Sequence, residues 1–190
     1  SSAHAKLWVD MQGLSTAEED QIVAVFGLHH LVITDARRMR HPPKLEVFDD
    51  HFFILLRGLD ADSNDLDFGT IQLALFVGER FLVTRHDKKS VSVNHWATSS
   101  QLASVLKDSG IRLAMEISTT VARRYLELLL NFEPRLAELE DLLEARPDDS
   151  TMRELTGYRT RLRKMRRDFG YHTGLFEALR ETDVPYFHGH

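Results

Sequence analysis

The chain has 190 residues, of which 43% are hydrophobic and 28% charged, and its formal net charge is −5. This balance fits one folded domain, or a domain with a helical appendage, and excludes intrinsic disorder as the main state. Because the sequence contains no cysteine, disulfide scaffolds, cysteine nucleophiles and thiolate metal sites are also excluded. The net acidity argues against a surface built wholly for nucleic acid. The longest apolar runs fall far short of the roughly 20 residues that a membrane span needs.

The first half of the chain contains short apolar segments separated by turn residues. Residues 6–11 predict a strand with alternating exposure. A helix is expected next, because Ser15 and Glu18 have the spacing of a capping box, as does the pair one position later. Gly27 is its expected end, since glycine readily adopts the left-handed conformation that closes many helices. Residues 31–39 predict a second short helix that stops before a Pro-Pro sequence.

Extended segments follow. Residues 44–48 alternate polar and apolar side chains, and residues 51–59 contain an unbroken apolar run typical of a strand buried on both faces. Residues 71–77 and 80–84 predict two further strands. A two-residue type II′ hairpin is expected between them, with Gly78 at its first turn position.

The second half of the chain is predicted to be helical. Residues 90–107 favour one moderately amphipathic helix, which an Asp-Ser-Gly sequence ends. Residues 111–146 favour a long helix with apolar side chains near coiled-coil spacing. After a tight link, Thr151 and Glu154 have the spacing of a capping box. They are expected to begin a second long helix that runs to about Arg180.

The two long helices carry opposite charges. Seven acidic residues and two arginines lie between positions 133 and 149, whereas residues 153–167 carry seven basic residues. We expect an antiparallel pair in which these charges face each other across the seam, each exposed pair adding a few tenths of a kcal/mol. The residues by themselves therefore predict a mixed sheet with flanking helices, followed by a long antiparallel helix pair. This is an α+β or α/β module.

Candidate metal ligands are present, but they form no recognisable motif. Two interpretations are open for His29, His30 and His41: they are zinc ligands, or they are surface and interface histidines. The second interpretation is favoured, because adjacent histidines on a helix point in different directions. The acidic loop of residues 60–67 has four aspartates but lacks the twelve-residue EF-hand pattern, which favours a solvated loop over a cation site. Motifs for glycine-rich phosphate loops, dinucleotide sites, serine nucleophiles and HExxH metalloproteases are missing.

A basic run covers residues 159–167. Such a run could neutralise phosphates of a nucleic acid. The chain is acidic overall, however, and no pattern of stacking aromatic residues accompanies the run. An internally neutralised helix pair is therefore the favoured interpretation, and a basic-helix nucleic-acid-binding module is the alternative from another functional class.

Several short motifs are spread in order over nearly the whole chain. They are Trp-x-Asp-x-x-Gly within residues 7–14, Phe-x-Leu-His-x-Leu followed by an aspartate within 26–35, a Pro-Lys-x-Glu block and its strand within 43–57, a hairpin within 72–84, and Val-Pro-Tyr-Phe at 184–187. The ordered set resembles the cytosolic N-terminal domain of the CorA-type divalent cation transporter family. The zinc-handling ZntB branch shares its architecture.

The resemblance implies an α/β/α sandwich with a mixed sheet over residues 1–108 and a long antiparallel helix pair packed on it over residues 109–183. Residues 184–190 would begin a stalk helix leading to two membrane helices, which are absent from this chain. It further implies a non-enzymatic regulatory domain of a homopentamer at the cytoplasmic face of the inner membrane. The chain alone is then expected to be soluble and only weakly oligomeric, which sedimentation would test.

The resemblance also implies metal sensing. Family members sense Mg²⁺ through acidic residues at subunit interfaces, where this ion can bridge carboxylates while keeping most of its water. Asp35 matches one acidic position and is the expected metal residue, with a structural role as the alternative. Thr34 and Thr119 replace acids that the family carries. Mg²⁺ is the expected regulatory and transported ion, Zn²⁺, Co²⁺ and Ni²⁺ are alternatives, and no nucleic-acid partner is expected.

Overall fold

A five-stranded sheet and six helices make up the described part of the chain. The computed structural model describes residues 6–145 and 148–182. The strands are β1 (Leu7–Gln12), β2 (Lys44–Val47), β3 (His51–Leu59), β4 (Thr70–Gly78) and β5 (Phe81–His86). The helices are α1 (Thr16–Phe26), α2 (His30–Arg37), α3 (Val91–Ala97), α4 (Leu102–Asp108), α5 (Gly110–Ala145) and α6 (Asp149–Glu181).

The sheet is mixed, with the strand order β1-β5-β4-β3-β2. β1 runs parallel to β5, and the other neighbouring pairs are antiparallel. The apolar run of β3 is buried on both faces, as predicted. Phe52, Ile54 and Leu56 point to one face, and Phe53 and Leu55 point to the other, because successive side chains of a strand alternate.

Helices cover both faces of the sheet. One apolar cluster joins the sheet to α1 and α2, and the other joins it to α3, α4, α5 and α6. The first half of α5 forms part of the third layer, on the face of the sheet opposite α1 and α2, because Leu113, Ile117, Val121 and Tyr125 are buried against the sheet. This arrangement confirms the predicted α/β/α sandwich and the helical hairpin that follows it. The division of the chain at residue 108 stays a prediction, and the motif at 184–187 lies outside the described residues.

Local signals correctly marked the first helix. Ser15 and Glu18 form the predicted capping box, in which the Ser15 side chain accepts from the Glu18 backbone N–H and the Glu18 side chain accepts from the Ser15 backbone N–H. Gly27 ends this helix with a φ of 63°, a left-handed conformation in which glycine carries no side-chain penalty.

The predicted two-residue hairpin is present, but its type II′ turn with Gly78 in the first position is wrong. The strands are joined by Glu79 and Arg80, and Gly78 is the last residue of β4 rather than the first turn residue. Gly78 also lacks the positive φ that such a turn requires. Glycine is needed there for space, because a Cβ atom at this position would lie 2.3 Å from a ring carbon of Phe81.

The single helix predicted for residues 90–107 is also wrong, because α3 and α4 are separate. The Thr98 hydroxyl donates to the Asn94 carbonyl, and the Ser99 hydroxyl accepts from the Gln101 backbone N–H at 3.1 Å. Side chains that bond to the nearby backbone compete with the helical hydrogen bonds, and here they mark the interruption.

The start of α6 and its seam with α5 differ from prediction. Asp148, not Thr151, is the N-cap residue, and its carboxylate accepts from the Thr151 backbone N–H at 2.7 Å. Among the described residues, one ion pair joins α5 to α6. It places Arg135 on the acidic helix against Glu154 on the basic one. The prediction that opposite charges face each other across this seam is therefore wrong. Apolar packing holds α5 against α6, and the rings of Phe132 and Tyr158 lie 4.6 Å apart. The long charged side chains need not face each other, because their charged ends can stay in water.

Candidate functional site

Asp35, the predicted metal residue, lies in the last turn of α2 beside β2. Its Oδ2 atom accepts a hydrogen bond from the Lys44 ammonium at 2.5 Å, and His41 Nε2 lies 3.6 Å from Oδ1. Lys44 also binds the Glu46 carboxylate. The Lys44 ammonium thus lies between two carboxylates, at the position that a metal cation would also occupy. We call these residues (Asp35, His41, Lys44 and Glu46) the Asp35 cluster.

Charge pairing shifts the pKa values of Asp35 and Lys44. The hydrogen bond from Lys44 holds the pKa of the Asp35 carboxyl below its ordinary value. Burial opposes the charge of Lys44, but its hydrogen bonds to Asp35 and Glu46 outweigh burial and raise the pKa of the ammonium. The carboxylate and the ammonium are therefore both charged at neutral pH, and an incoming metal ion would have to displace Lys44.

The two positions at which threonine replaces a family acid add no ligand to Asp35. The Thr34 hydroxyl donates to the His30 carbonyl within α2, and Thr119 is exposed on α5, which covers the opposite face of the sheet. No group of three or more histidine, aspartate or glutamate side chains in residues 6–145 and 148–182 could hold a metal ion. The described residues therefore place no set of three such side chains around Asp35.

The histidine pair and the acidic loop have local roles. The His29 ring stacks on His30 and on Phe48, at centroid distances of 4.8 and 4.5 Å. In the loop, the Asp60 carboxylate accepts from the Ser63 hydroxyl, while the other three aspartates are exposed. This arrangement agrees with surface histidines and a solvated acidic loop.

A buried polar cluster, which the sequence did not predict, ties both long helices to β3. Arg57 donates to the Asp168 carboxylate at 2.8 Å, and its backbone N–H donates to His172 Nε2 at 3.2 Å. The Tyr125 hydroxyl donates to the Arg57 carbonyl at 3.1 Å. We call these four residues the Arg57 cluster. Its members come from three elements, each more than 40 positions from the next along the chain, so no local pattern could reveal it.

Burial shifts the pKa values of Tyr125 and His172. It raises the pKa of the Tyr125 hydroxyl and, although the nearby Asp168 acts in the opposite direction, it lowers the pKa of the His172 imidazole. A neutral His172 is what the cluster requires, because Nε2 must accept a hydrogen bond from the Arg57 backbone.

His172 is expected to make the protein less stable in mild acid. The folded-state pKa of His172 lies below the unfolded value of about 6.5. Its contribution to the free energy of unfolding is therefore complete above the unfolded pKa and is lost as the pH falls from there toward the folded-state pKa. The free energy of unfolding should fall between about pH 7.5 and 5.5, and we expect His172→Gln to remove the part of this fall that His172 causes. Urea unfolding at both pH values measures the change. His95→Gln, at an exposed position, is the control and should behave like the natural protein. An unchanged loss in His172→Gln would contradict the assignment.

The basic run of α6 does not lie against the acidic part of α5. The Arg161 guanidinium is 3.6 Å from the Asp67 carboxylate, and Lys164 donates to the Phe68 carbonyl at 2.7 Å. Lys164 and Arg167 also line a cleft of about 580 Å³ beside the turn between α2 and β2. Part of the run is therefore directed at a concave surface formed by distant segments of the chain.

With this geometry in place, the chain can be compared with known proteins. A family model described as CorA-like Mg²⁺ transporter protein matches residues 4–188. The chain belongs to this CorA-like family. It is 28% identical over 159 residues to the cobalt/magnesium transport protein CorA of Methanocaldococcus jannaschii, which covers 82% of this chain and 49% of that protein. The chain spans about half the length of the curated relatives that it matches.

Solved structures show the same CorA-like fold. The soluble domain of CorA from Methanocaldococcus jannaschii has a TM-score of 0.78 and 20% identity, covering 94% of this chain and 71% of that one. The ZntB cytoplasmic domain from Vibrio parahaemolyticus has a TM-score of 0.60 and 16% identity, covering 93% and 71%. At such identities the likeness shows the fold alone.

The family assignment decides one further prediction. Because the matched family and relatives are transport proteins, the prediction that this CorA-like chain is not an enzyme is confirmed. In the described residues, no helix combines the length and the apolar character needed to cross a bilayer. The nucleic-acid alternative finds no support among these relatives.

Proposed function

We propose that this chain is the cytosolic regulatory domain of a divalent cation transporter, with Mg²⁺ as the sensed and transported ion. The family match over residues 4–188 carries the proposal. The name of the relative from Methanocaldococcus jannaschii, a cobalt/magnesium transport protein, supports the choice of ion. Membrane helices outside this chain would place the domain at the cytoplasmic face of the membrane.

We further propose that the domain works in a homopentamer. Two leucines on α5 support a subunit or stalk contact. Leu126 is 53% exposed and Leu130, one turn later, is 56% exposed, so both are free to pack against another surface. Residues 109–183 would then connect the sandwich to a stalk that begins near residue 184. Weak association of the isolated chain stays our prediction.

Asp35 is proposed to bind the regulatory ion at a subunit contact. The support is chemical: Lys44 bridges Asp35 and Glu46, so the position already holds a positive charge between two carboxylates. Mg²⁺ binds carboxylates directly or through its own water, and a second subunit would have to supply further ligands. In this proposal Mg²⁺ competes with the Lys44 ammonium for Asp35, which weakens binding relative to an unpaired carboxylate.

Magnesium titration of variants tests this proposal. We expect Mg²⁺ at tens of millimolar to raise the melting temperature of the natural full-length protein, in which a second subunit can supply ligands, and Asp35→Asn to abolish the rise. Lys44→Met should enlarge the rise, because it leaves Asp35 and Glu46 without their shared cation. Asp49→Asn removes an exposed carboxylate from the turn between β2 and β3 and is the control. An Asp35→Asn response equal to that of the natural chain would contradict a metal role for Asp35.

A ZntB-like zinc transporter domain is the second candidate. The observation that favours it is the replacement of expected acids by Thr34 and Thr119, together with the shared fold of a ZntB cytoplasmic domain. The same titration with Zn²⁺ separates the two. A rise in melting temperature with micromolar Zn²⁺ and none with Mg²⁺ would favour the zinc transporter.

A further inference from the structure

The cleft of about 580 Å³ is surrounded by positive charge that nothing in the described residues neutralises. It lies between the turn that joins α2 to β2, the strands β3 and β4, and α6. Arg40, Lys88, Lys164 and Arg167 all line it, and none of the four has a carboxylate partner among the described residues. We call this the basic cleft.

The remaining charged side chains of the basic cleft are already paired. Arg37 binds acids of α1, and Arg57 binds the buried Asp168. Asp87 is the acidic residue of the lining, and it is paired with Arg85 at 2.8 Å. The four cations therefore form a net positive surface inside a chain whose overall charge is −5. Such a concave arrangement concentrates the field and attracts anions.

The turn that presents Arg40 is held in an unfavourable backbone conformation. Arg40 has a φ of 66°, the positive value that glycine tolerates and other residues rarely adopt. The Gln72 side chain fastens both ends of the turn, accepting from the His41 backbone N–H at 3.1 Å and donating to the Asp35 and Ala36 carbonyls. Strain that the surrounding structure maintains is typical of functional positions, and here it places a cation at the rim of the basic cleft.

The basic cleft also offers apolar surface. Met39, Leu56 and Ile71 contribute to its lining, as does the ring of Tyr171, which is 37% exposed. The volume is in the range of small-molecule sites and far exceeds that of a single phosphate ion. Cations for an anionic group and an exposed ring for a planar group are thus present in one cleft.

We propose that the basic cleft binds a phosphate-bearing small molecule of nucleotide size. Arg40, Lys88, Lys164 and Arg167 would contact its phosphates, and Tyr171 would pack against its planar group. Arginine suits this role because its planar guanidinium can donate two parallel hydrogen bonds to a phosphate. Asp35 does not line the basic cleft, although His41 of the Asp35 cluster does, and the proposal goes beyond the metal-sensing function and does not depend on it.

Calorimetric titration in a metal-free, EDTA-containing buffer tests the proposal. ATP, ADP, AMP and pyrophosphate are the probes. We expect saturable one-to-one binding of ATP and ADP that weakens with salt, because the contacts are ionic. Arg167→Glu should weaken it about tenfold or more. Arg163→Glu makes the same charge change at an exposed position of α6 outside the cleft and should leave binding unchanged.

Arg40→Gly guards against variants that fail to fold, because glycine accepts the positive φ while removing the charge. We expect this variant to be at least as stable as the natural chain and to lose nucleotide affinity. Pyrophosphate binding as tight as that of ADP would identify the phosphate as the whole ligand and remove the role of Tyr171. No saturable binding would overturn the proposal. The proposal would also be overturned if Arg167→Glu and Arg163→Glu lost equal nucleotide affinity and an RNA oligonucleotide bound more tightly than the nucleotides. That result would indicate a diffuse nucleic-acid surface.

Discussion

Asp168→Ala is expected to lower the free energy of unfolding by about 3 kcal/mol or more, because it leaves the Arg57 guanidinium without its buried partner. Asp168 is fully buried, and the Arg57 side chain is 15% exposed. The backbone of the same residue bonds to Tyr125 on α5 and to His172 on α6, so the unpaired charge would lie where β3 and both long helices meet. Urea unfolding followed by tryptophan fluorescence measures the change.

Two further variants separate the buried pair from a general effect of removing charge. Glu177→Ala deletes an exposed carboxylate from the same helix and should change the free energy of unfolding by less than about 0.5 kcal/mol. In the double variant Arg57→Ala/Asp168→Ala, the loss should be smaller than the sum of the two single losses, because both charges are removed together. Equal losses in Asp168→Ala and Glu177→Ala would mean that the Arg57 cluster does not anchor α6.

Leu128→Ala is expected to destabilise the fold by about 3 kcal/mol, because it opens a cavity under α5. Leu128 is 2% exposed within the cluster that joins this helix to the sheet. Leu126→Ala makes the same deletion two residues earlier, where the side chain is 53% exposed, and should change stability by less than about 0.5 kcal/mol. Urea unfolding of both variants measures the difference.

The Leu126 and Leu128 pair tests which face of α5 forms the third layer of the sandwich. If the two substitutions had equal effects, α5 would not present the face that buries Leu128. Leu126→Ala has a second use, because in the proposed pentamer this side chain is available for a subunit or stalk contact. Loss of association in the full-length protein with unchanged stability of the chain would support that contact.

The Asp35 cluster and the basic cleft share one structural support. The Gln72 side chain holds the carbonyls of Asp35 and Ala36, at the end of α2, and the backbone of His41 after the strained turn. The proposed metal residue thus precedes the turn that presents Arg40 to the basic cleft. A shift of this turn on anion binding would move the backbone that carries Asp35, which makes titration of each ligand in the presence of the other a direct measure of coupling.

The sequence by itself determined the features that depend on neighbouring residues. The apolar run of β3 indicated a strand buried on both faces, the spacing of Ser15 and Glu18 marked a helix start, and the ordered motifs led to the CorA-like family. These signals are local, because alternation and capping act over two to four residues. Even locally, the start of α6 was misplaced, because Asp148 caps this helix three residues before Thr151.

Only the tertiary structure decided how distant residues meet. It paired Arg57 with Asp168, gathered the four cations of the basic cleft, and bound Asp35 to Lys44. It also replaced the predicted charged seam of the long helices with apolar packing. Complementary charges in two segments do not specify contact, because exposed ion pairs contribute little free energy, whereas burial of apolar surface fixes which helix faces meet. Side chains outside that buried surface take whatever partners the packing leaves within reach.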